Sequence, residues 1–274
     1  MNVKALLLAA GYGSRLKPLT NEWPKCLMPI GQRPLLEYWL ETLWQNNIHE
    51  VLVNLHYLSE IVKGYLERPR FRDWVKYVYE PNLLGTAGTL RQNYRFFSNC
   101  STLLIHADNW CQCNFYDFLH FHENNRPDGT SITMMTFQTE NAEKCGIVEC
   151  DEKGVVIAFH EKKNNPPSNL ANAAVYILEP DVLIWLNQNP QITDFSTEVL
   201  PAWIGRIATW HNSIIHRDIG TLPVLSKAQQ DPRPQLVWPE IDHWQNNFLK
   251  NSIHETVTIQ GGECEESKSK DIIF

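Results

Sequence analysis

Two residues of fixed positive charge, Arg15 and Lys25, stand in a glycine-bearing stretch near the start of this 274-residue chain. The run Leu6-Leu7-Leu8-Ala9-Ala10 is apolar, Gly11-Tyr12-Gly13-Ser14 is small and turn-prone, and Arg15 follows at once. Glycine lets backbone N–H groups come close to an anion. Lys25 follows in Pro24-Lys25-Cys26-Leu27-Met28-Pro29-Ile30. Together these residues read as a phosphate site. The turn has Leu16 where a dinucleotide fingerprint has its third glycine, and it lacks the Gly-Lys-Ser/Thr of a Walker loop. The first 33 residues carry Lys4, Arg15, Lys17, Lys25 and Arg33 against one acid, Glu22, in a chain whose formal charge is −7. That contrast suits a small anionic ligand and argues against a nucleic-acid surface.

The elements that must hold these residues can be read from periodicity. Val3–Ala9 is a continuous apolar run, as expected of a strand buried on both faces. Pro34–Asn46 has apolar residues at helical spacing, Leu35, Tyr38, Trp39 and Leu43, with proline at its start. Val51–Leu55 reads as a strand, Leu58–Leu66 as a helix and Val75–Tyr79 as a strand. A second glycine turn, Leu84-Gly85-Thr86-Ala87-Gly88, leads into a helix. Thr102–Ala107 reads as a strand ending on Asp108, and Asn114–Asn124 as a helix. Alternation over 120 residues means a parallel α/β sheet, where ligands bind beyond the carboxyl ends of the strands. The Gly11 turn, the Gly85 turn and Asp108 all fall at that end. Beyond residue 125 the pattern turns antiparallel. Ser131–Gln138 is apolar, and Gly146–Cys150 and Val155–Phe159 flank Asp151-Glu152-Lys153-Gly154, a hairpin signal. Asn172–Leu178 reads as a strand, Pro180–Asn187 and Ser196–Ile204 as helices. Ile207–Trp210 and Ile214–His216 read as short strands, and Leu222–Gln230 as a helix.

Composition sets the outer limits. The chain is 43% hydrophobic and 20% charged, ordinary for a globular protein with a sizeable core. Val3–Ala10 is too short for a signal peptide, and no apolar run approaches the ~18 residues of a membrane span. Seven cysteines without framework spacing fit a reducing cytoplasm. Cys111-x-Cys113 and His120-x-His122 lack the further ligands of a zinc site. Cys26 has no neighbouring base to make it a nucleophile.

Taken singly, Asp108 reads equally as a cap, Glu161-Lys162-Lys163 as a surface charge run and Asp218 as a turn residue. Their order along the chain changes that. LLLAAGYGSRLKPLTNEWPKCLMPI resembles the signature of the nucleotide-sugar pyrophosphorylases, or sugar-1-phosphate nucleotidyltransferases. Further similarities follow in family order: EPNLLGTAGTLR at Glu80–Arg91, HAD at Asp108, CGIV at Cys145–Val148, FHEK at Phe159–Lys162, NAAVYIL at Asn172–Leu178 and DIGT at Asp218–Thr221. The resemblance implies an α/β, Rossmann-like, three-layer αβα fold with a mainly parallel central sheet and an antiparallel sugar-binding portion. Residues 1–230 would form the catalytic domain, with a nucleotide-binding half over 1–125 and a sugar-phosphate-binding half over 126–230. Residues 231–274 would be an extension of unassigned role.

The same resemblance implies an enzyme whose substrates are an NTP and a sugar 1-phosphate, with Mg2+ as cofactor. By matching position, Ala9, Ala10, Gly11, Gly13 and Ser14 would cradle the NTP phosphates, and Arg15 would stabilise the departing pyrophosphate. Lys25 would sit between the α-phosphate and the sugar phosphate. Asp108 and Asp218 would hold the metal. Gly85, Thr86 and Glu80 would meet the nucleotide, with Glu80 accepting from the base. Gly146, Glu161, Lys162 and Asn172 would line the sugar phosphate site. GTAG with nearby Glu80 is similar to mannose-1-phosphate guanylyltransferases, which favours GTP with mannose 1-phosphate or a manno-heptose 1-phosphate. The alternatives are uridylyl or other nucleotidyl transfer to a hexose, amino-sugar or choline phosphate, or a non-catalytic regulatory subunit. The chain departs from the family at His106-Ala107, at Ala174 where glycine is usual, and at Lys163 where proline is usual. Those departures bear on the sugar more than on the reaction. Residues 231–274 are too few for a further repeat-built domain. Trp238 and Trp244 would pack on the core or on another subunit of a homo-oligomer, and Gly261–Lys270 reads as a disordered polar tail.

Overall fold

The computed structural model describes residues 2–235, 237–254 and 256–257. The apolar run before the first glycine turn is strand β1 (Val3–Leu8). Next come β2 (Pro29–Ile30), β3 (Arg33–Pro34), α1 (Leu35–Gln45), β4 (Val51–Leu55), α2 (Ser59–Leu66), β5 (Val75–Tyr79) and α3 (Thr86–Gln92). They are followed by α4 (Tyr94–Phe97), β6 (Ser101–His106), β7 (Asn109–Gln112), α5 (Phe115–His120), β8 (Ile132–Gln138), β9 (Gly146–Cys150) and β10 (Val156–Glu161). The remainder are β11 (Leu170–Leu178), α6 (Pro180–Gln188), α7 (Leu200–Ala202), β12 (Ile207–His211), β13 (Ile215–Asp218), α8 (Leu222–Gln230) and α9 (His243–Leu249).

One sheet runs in the order β10-β9-β11-β6-β1-β4-β5, with β8 pairing β11 and β12. β1 lies parallel to both β4 and β6, and β4 is parallel to β5. β11 joins β6 antiparallel, so the second half of the chain continues the sheet of the first. Successive side chains of a strand point to opposite faces. Ala5 and Leu7 of β1 enter one core, with α1 and α2, while Leu6 enters another, with α3 and α6. The result is three layers, helices on both faces of a sheet whose central strands are buried along most of their length. β1 is followed by β4 on one side and β6 on the other, so a crevice opens at its carboxyl end. No helix among the described residues is long and apolar enough to cross a membrane.

Several elements differ from the sequence reading. The helix expected over Asn114–Asn124 is α5 followed by one wide π turn, Phe121–Asn125. That expected over Ser196–Ile204 is a π turn, Phe195–Val199, followed by α7. β7 carries no apolar run, and pairs with β13 as a separate ribbon outside the main sheet. A third core unites Leu16, Leu19, Met28, Ile30, Trp110, Ile219, Leu225 and Phe248, clamping the Arg15–Lys25 loop between the ribbon, α8 and α9.

Residues 231–235 and 237–249 double back over α1. Trp238 packs its ring against Trp44, Phe71 and Trp74, and Trp244 against Tyr65, Trp23 and Phe248. Both tryptophans thus serve this chain's own core. Gly261–Lys270 lies outside the described residues.

Candidate active site

The loop after β1 is built to leave a strip of backbone free. Gly13 adopts φ +63°, and a Cβ there would meet Thr20 Cγ2 at 2.8 Å. Thr20 Oγ1 donates to the Gly13 carbonyl at 2.9 Å. This turns the chain into one tight 3-10 turn, Ser14–Leu16, pinned by buried Leu16. Gly11 is different. A Cβ on Gly11 would meet nothing within 4 Å, so no packing inside the chain requires glycine. Ala9 has another role, because its N–H is taken by Asn54 Oδ1 at 2.8 Å. The Ala9 N–H is therefore engaged within the chain, and Asn54 is a residue that sequence reading missed. It stands at the carboxyl end of β4, a position that topology alone could have flagged.

Four charged side chains converge at this crevice. Lys25 opens a 3-10 turn whose residues Cys26 and Leu27 are buried, and its side chain is 8% exposed. Its Nζ donates to Asp108 Oδ2 at 2.5 Å and to Asp218 Oδ1 at 3.0 Å. Arg15 Nη2 donates to Asp218 Oδ2 at 3.1 Å. Asp108 follows β6, and Asp218 ends β13, where the ribbon register places it opposite Asn109. The Ile219 N–H donates to the Asp108 carbonyl at 3.2 Å, which ties the two carboxylate-bearing turns together. Gly220 leaves the bed for Arg15, since a Cβ there would lie 2.7 Å from Nη2. Burial works against the Lys25 charge, yet the two carboxylates overcome it and hold its pKa above the ordinary lysine range. Burial likewise works against the Asp218 charge, and Lys25 and then Arg15 hold its pKa below the carboxylate range. Lys25 and Asp218 are thus both charged at neutral pH. The pair offers only oxygen donors converging on one point, a set that fits a hard divalent cation completed by water and phosphate oxygens.

The other basic residues of the N-terminal segment do not join them. Lys4 pairs with Glu50 at 2.9 Å. Arg33 is buried against Glu37 and donates to the Trp238 carbonyl at 2.5 Å. The local basic excess was therefore only partly about an anion.

The second glycine turn is tight. Gly85 has φ +78°, and a Cβ would fall 2.4 Å from the Thr193 carbonyl, which accepts from the N–H groups of Ala87 and Gly88. Thr86 turns inward, its Oγ1 accepting from the Phe195 N–H at 2.7 Å. Glu80 lies inside the fold. It is 2% exposed, and its carboxylate accepts from Thr89 Oγ1 at 2.6 Å, Asn54 Nδ2 at 3.1 Å and the Leu84 N–H at 3.2 Å. A carboxylate with three internal donors props the turn. Tyr12 and His56 form a second missed link. Tyr12 Oη lies 2.8 Å from His56 Nε2, and His56 Nδ1 lies 2.7 Å from the Glu80 carbonyl. That carbonyl can only accept, so Nδ1 carries the proton and Nε2 accepts from tyrosine.

On the antiparallel side, Glu161 ends β10 directly opposite Gly146 at the start of β9. A Cβ on Gly146 would stand 2.7 Å from both Glu161 Oε2 and the Phe159 ring, so glycine gives both side chains their space. Lys162 lies 67% exposed and reaches Glu161 at 3.1 Å. Asn172 donates to Tyr176 Oη at 2.6 Å and accepts from the Ala174 N–H at 2.9 Å. Ala174 has φ +53°, a left-handed conformation that explains why glycine is usual there. The Ala173 carbonyl accepts from Asn109 Nδ2 at 3.0 Å and His216 Nε2 at 2.8 Å. This joins the Asn172 strand to the ribbon that carries Asp218. Burial pushes His216 down to about 4, so its ring is neutral. The zinc-like clusters have structural roles: His122 bonds Thr133 and Glu179, and Cys111 lies against Met135 and Asn212.

Comparison with known proteins follows the same lines. Residues 4–233 match the family described as nucleotidyl transferase. The mannose-1-phosphate guanylyltransferase catalytic subunit beta of Drosophila pseudoobscura pseudoobscura is 32% identical over 203 residues, 73% of this chain and 53% of that protein. The UTP–glucose-1-phosphate uridylyltransferase of a Synechocystis strain is 30% identical over 198 residues, 67% of this chain and 51% of that protein. The chain thus spans about half the length of these relatives. Among solved structures, HddC from Yersinia pseudotuberculosis complexed with GMP-PN superposes with a TM-score of 0.69 at 20% identity, covering 84% of this chain and 99% of that one.

Proposed function

Because the chain belongs to the nucleotidyl transferase family, we propose that it transfers a nucleoside monophosphate from an NTP to a sugar 1-phosphate and releases pyrophosphate. The convergence of Lys25, Arg15, Asp108 and Asp218 beyond the carboxyl ends of β1 and β6 is the observation that carries this reading. A phosphate oxygen of the sugar phosphate forms a bond to the α-phosphorus, and the bond from that phosphorus to the pyrophosphate oxygen breaks in line. Two anions must meet, so positioning and charge neutralisation do most of the catalysis. Lys25, charged and held in place, neutralises the α-phosphate and the incoming phosphate. Arg15, at the exposed mouth, receives the pyrophosphate. The free backbone at Gly11–Ser14 cradles the triphosphate, and Glu161 with Asn172 orients the sugar hydroxyls opposite. A divalent cation such as Mg2+, held by Asp108 and Asp218, would add charge neutralisation across the phosphates.

GTP with mannose 1-phosphate or a manno-heptose 1-phosphate is the substrate pair of this reading. One relative is named a mannose-1-phosphate guanylyltransferase, and HddC was solved with a guanine nucleotide analogue. With Glu80 turned inward, the base preference rests on these relatives. The uridylyltransferase relative keeps UTP as the second reading. Pyrophosphate release measured across four NTPs and a panel of sugar phosphates decides between them. Turnover is expected with GTP and a manno-configured phosphate. Tight NDP-sugar binding without turnover on any pair would establish a regulatory subunit instead. Asp108→Asn is expected to cut metal-dependent turnover by at least about 10²-fold while leaving the circular dichroism spectrum unchanged.

A further inference from the structure

Two carboxylates and two cations share one small volume, and their charges cancel. Three of the four carboxylate oxygens are held by protein cations: Asp108 Oδ2 and Asp218 Oδ1 by Lys25, Asp218 Oδ2 by Arg15. A metal that takes one oxygen from each aspartate must take an Asp218 oxygen, and both of those are engaged. Contacts from a hard cation such as Mg2+ are about 2.0–2.1 Å. The point from which one cation reaches both carboxylates is already filled, by the Lys25 ammonium at 2.5 and 3.0 Å. Two positive ions crowded onto these oxygens repel in a half-buried site, where screening is weak.

We propose that Lys25 is the site's internal stand-in for the metal. In the free protein its ammonium bridges Asp108 and Asp218 and holds both turns in register. On metal binding it gives up that bridge and presents its charge to the phosphates. This inference rests on the reading of Asp108 and Asp218 as the metal pair. The local build supports a side-chain swing rather than a loop movement. Cys26, Leu27 and Met28 are at most 2% exposed, and the Met28 N–H donates to the Lys25 carbonyl at 3.1 Å, so the backbone is anchored. The lysine stem has four rotatable carbons. Electrostatics gives the swing its use. The empty cleft is neutral, so it holds phosphates weakly. A divalent ion between the carboxylates makes the same cleft doubly positive and frees Lys25 for the anions.

The test is Mn2+ binding to the free protein, read by loss of the free-ion electron paramagnetic resonance signal. Lys25→Met is expected to bind Mn2+ at least tenfold tighter than wild type. Arg15→Met, which removes an equal charge from Asp218 but not the bridge, is expected to change affinity less than threefold. Adding Asp108→Asn to Lys25→Met should erase the gain. Equal affinities for wild type and Lys25→Met, or a gain confined to Arg15→Met, would overturn the stand-in role while Asp108 dependence left the metal pair standing. Mn2+ binding to Lys25→Met that ignores Asp108→Asn would overturn the metal pair and the stand-in together. A second measurement uses the unaltered protein. Acylation of Lys25, followed by mass spectrometry, should rise at least fivefold on adding saturating Mn2+, and an unchanged rate counts against the swing.

Discussion

At the scale of single residues, two glycines make opposite tests of the two halves of the cleft. Gly11 has open space where a Cβ would go, and Gly146 has Glu161 and Phe159 there. Gly11→Ala is expected to leave stability within about 0.5 kcal/mol of wild type and to raise KM for the NTP about tenfold. Gly146→Ala is expected to raise KM for the sugar phosphate by a similar factor, with KM for the NTP unchanged. Steady-state kinetics with each substrate varied in turn distinguishes the two. Ala174 offers a gain instead. Its left-handed backbone costs an L side chain about 1–2 kcal/mol, part of which glycine returns through the unfolded chain. Ala174→Gly should therefore stabilise the protein by about 0.5–1 kcal/mol in urea unfolding. The convergence of Arg15, Lys25, Asp108 and Asp218 was legible in the sequence because charge, glycine and order along the chain all mark them. The inward setting of Glu80 was not. Whether a carboxylate faces a ligand or the protein depends on Asn54 and Thr89, and no local pattern announces those partners.

At the scale of elements, the Gly85 turn tolerates little change. It is locked from inside by Glu80 and from outside by the Thr193 carbonyl. Gly85→Ala combines positive φ with a Cβ 2.4 Å from that carbonyl. It should destabilise the protein by more than about 2 kcal/mol, measured by urea unfolding, and lift α3 away from the loop before the π turn. Elements with strong periodicity were read closely. Val51–Leu55 and Leu222–Gln230 match their observed bounds, and the hairpin turn at Asp151–Gly154 falls between β9 and β10. β7 was missed because Asn109-Trp110-Cys111-Gln112 has no alternation. It is a strand only because β13 returns to pair with it.

At the scale of the whole molecule, residues 231–235 and 237–249 act as a strap over α1. Glu37 and Glu41 lie off the apolar stripe of that helix, yet both are buried. Glu37 pairs with Arg33 and Arg68, Arg68 with Asp242, and Glu41 accepts the N–H groups of Val237 and Trp238. No periodicity announces this, because Pro232, Pro234 and Pro239 interrupt the segment and the strap works through side chains and turns. Burial, and then the neighbouring Glu37 charge, pushes Glu41 up to about 7. An acid with a raised folded value binds more protons folded than unfolded. Its stabilising contribution is full below about 4.5, falls as pH rises, and is lost above about 7. Asp218, Asp231 and Asp242 are shifted downward, so their effects lie below that window. Glu41→Gln keeps the acceptor and removes the charge. Between pH 5 and 8 its stability should fall less than that of wild type, by up to about 3 kcal/mol in urea titrations.

The ribbon of β7 and β13 has a consequence measured in time. It joins two carboxylates that lie some 110 positions apart in the chain. At the usual pace of about 5–20 residues per second, the first aspartate waits roughly 5–20 s on the ribosome for the second. During that interval the nascent protein can already pair β1, β4, β5 and β6, but the loop that carries Arg15 and Lys25 stays unclamped until the ribbon, α8 and α9 arrive.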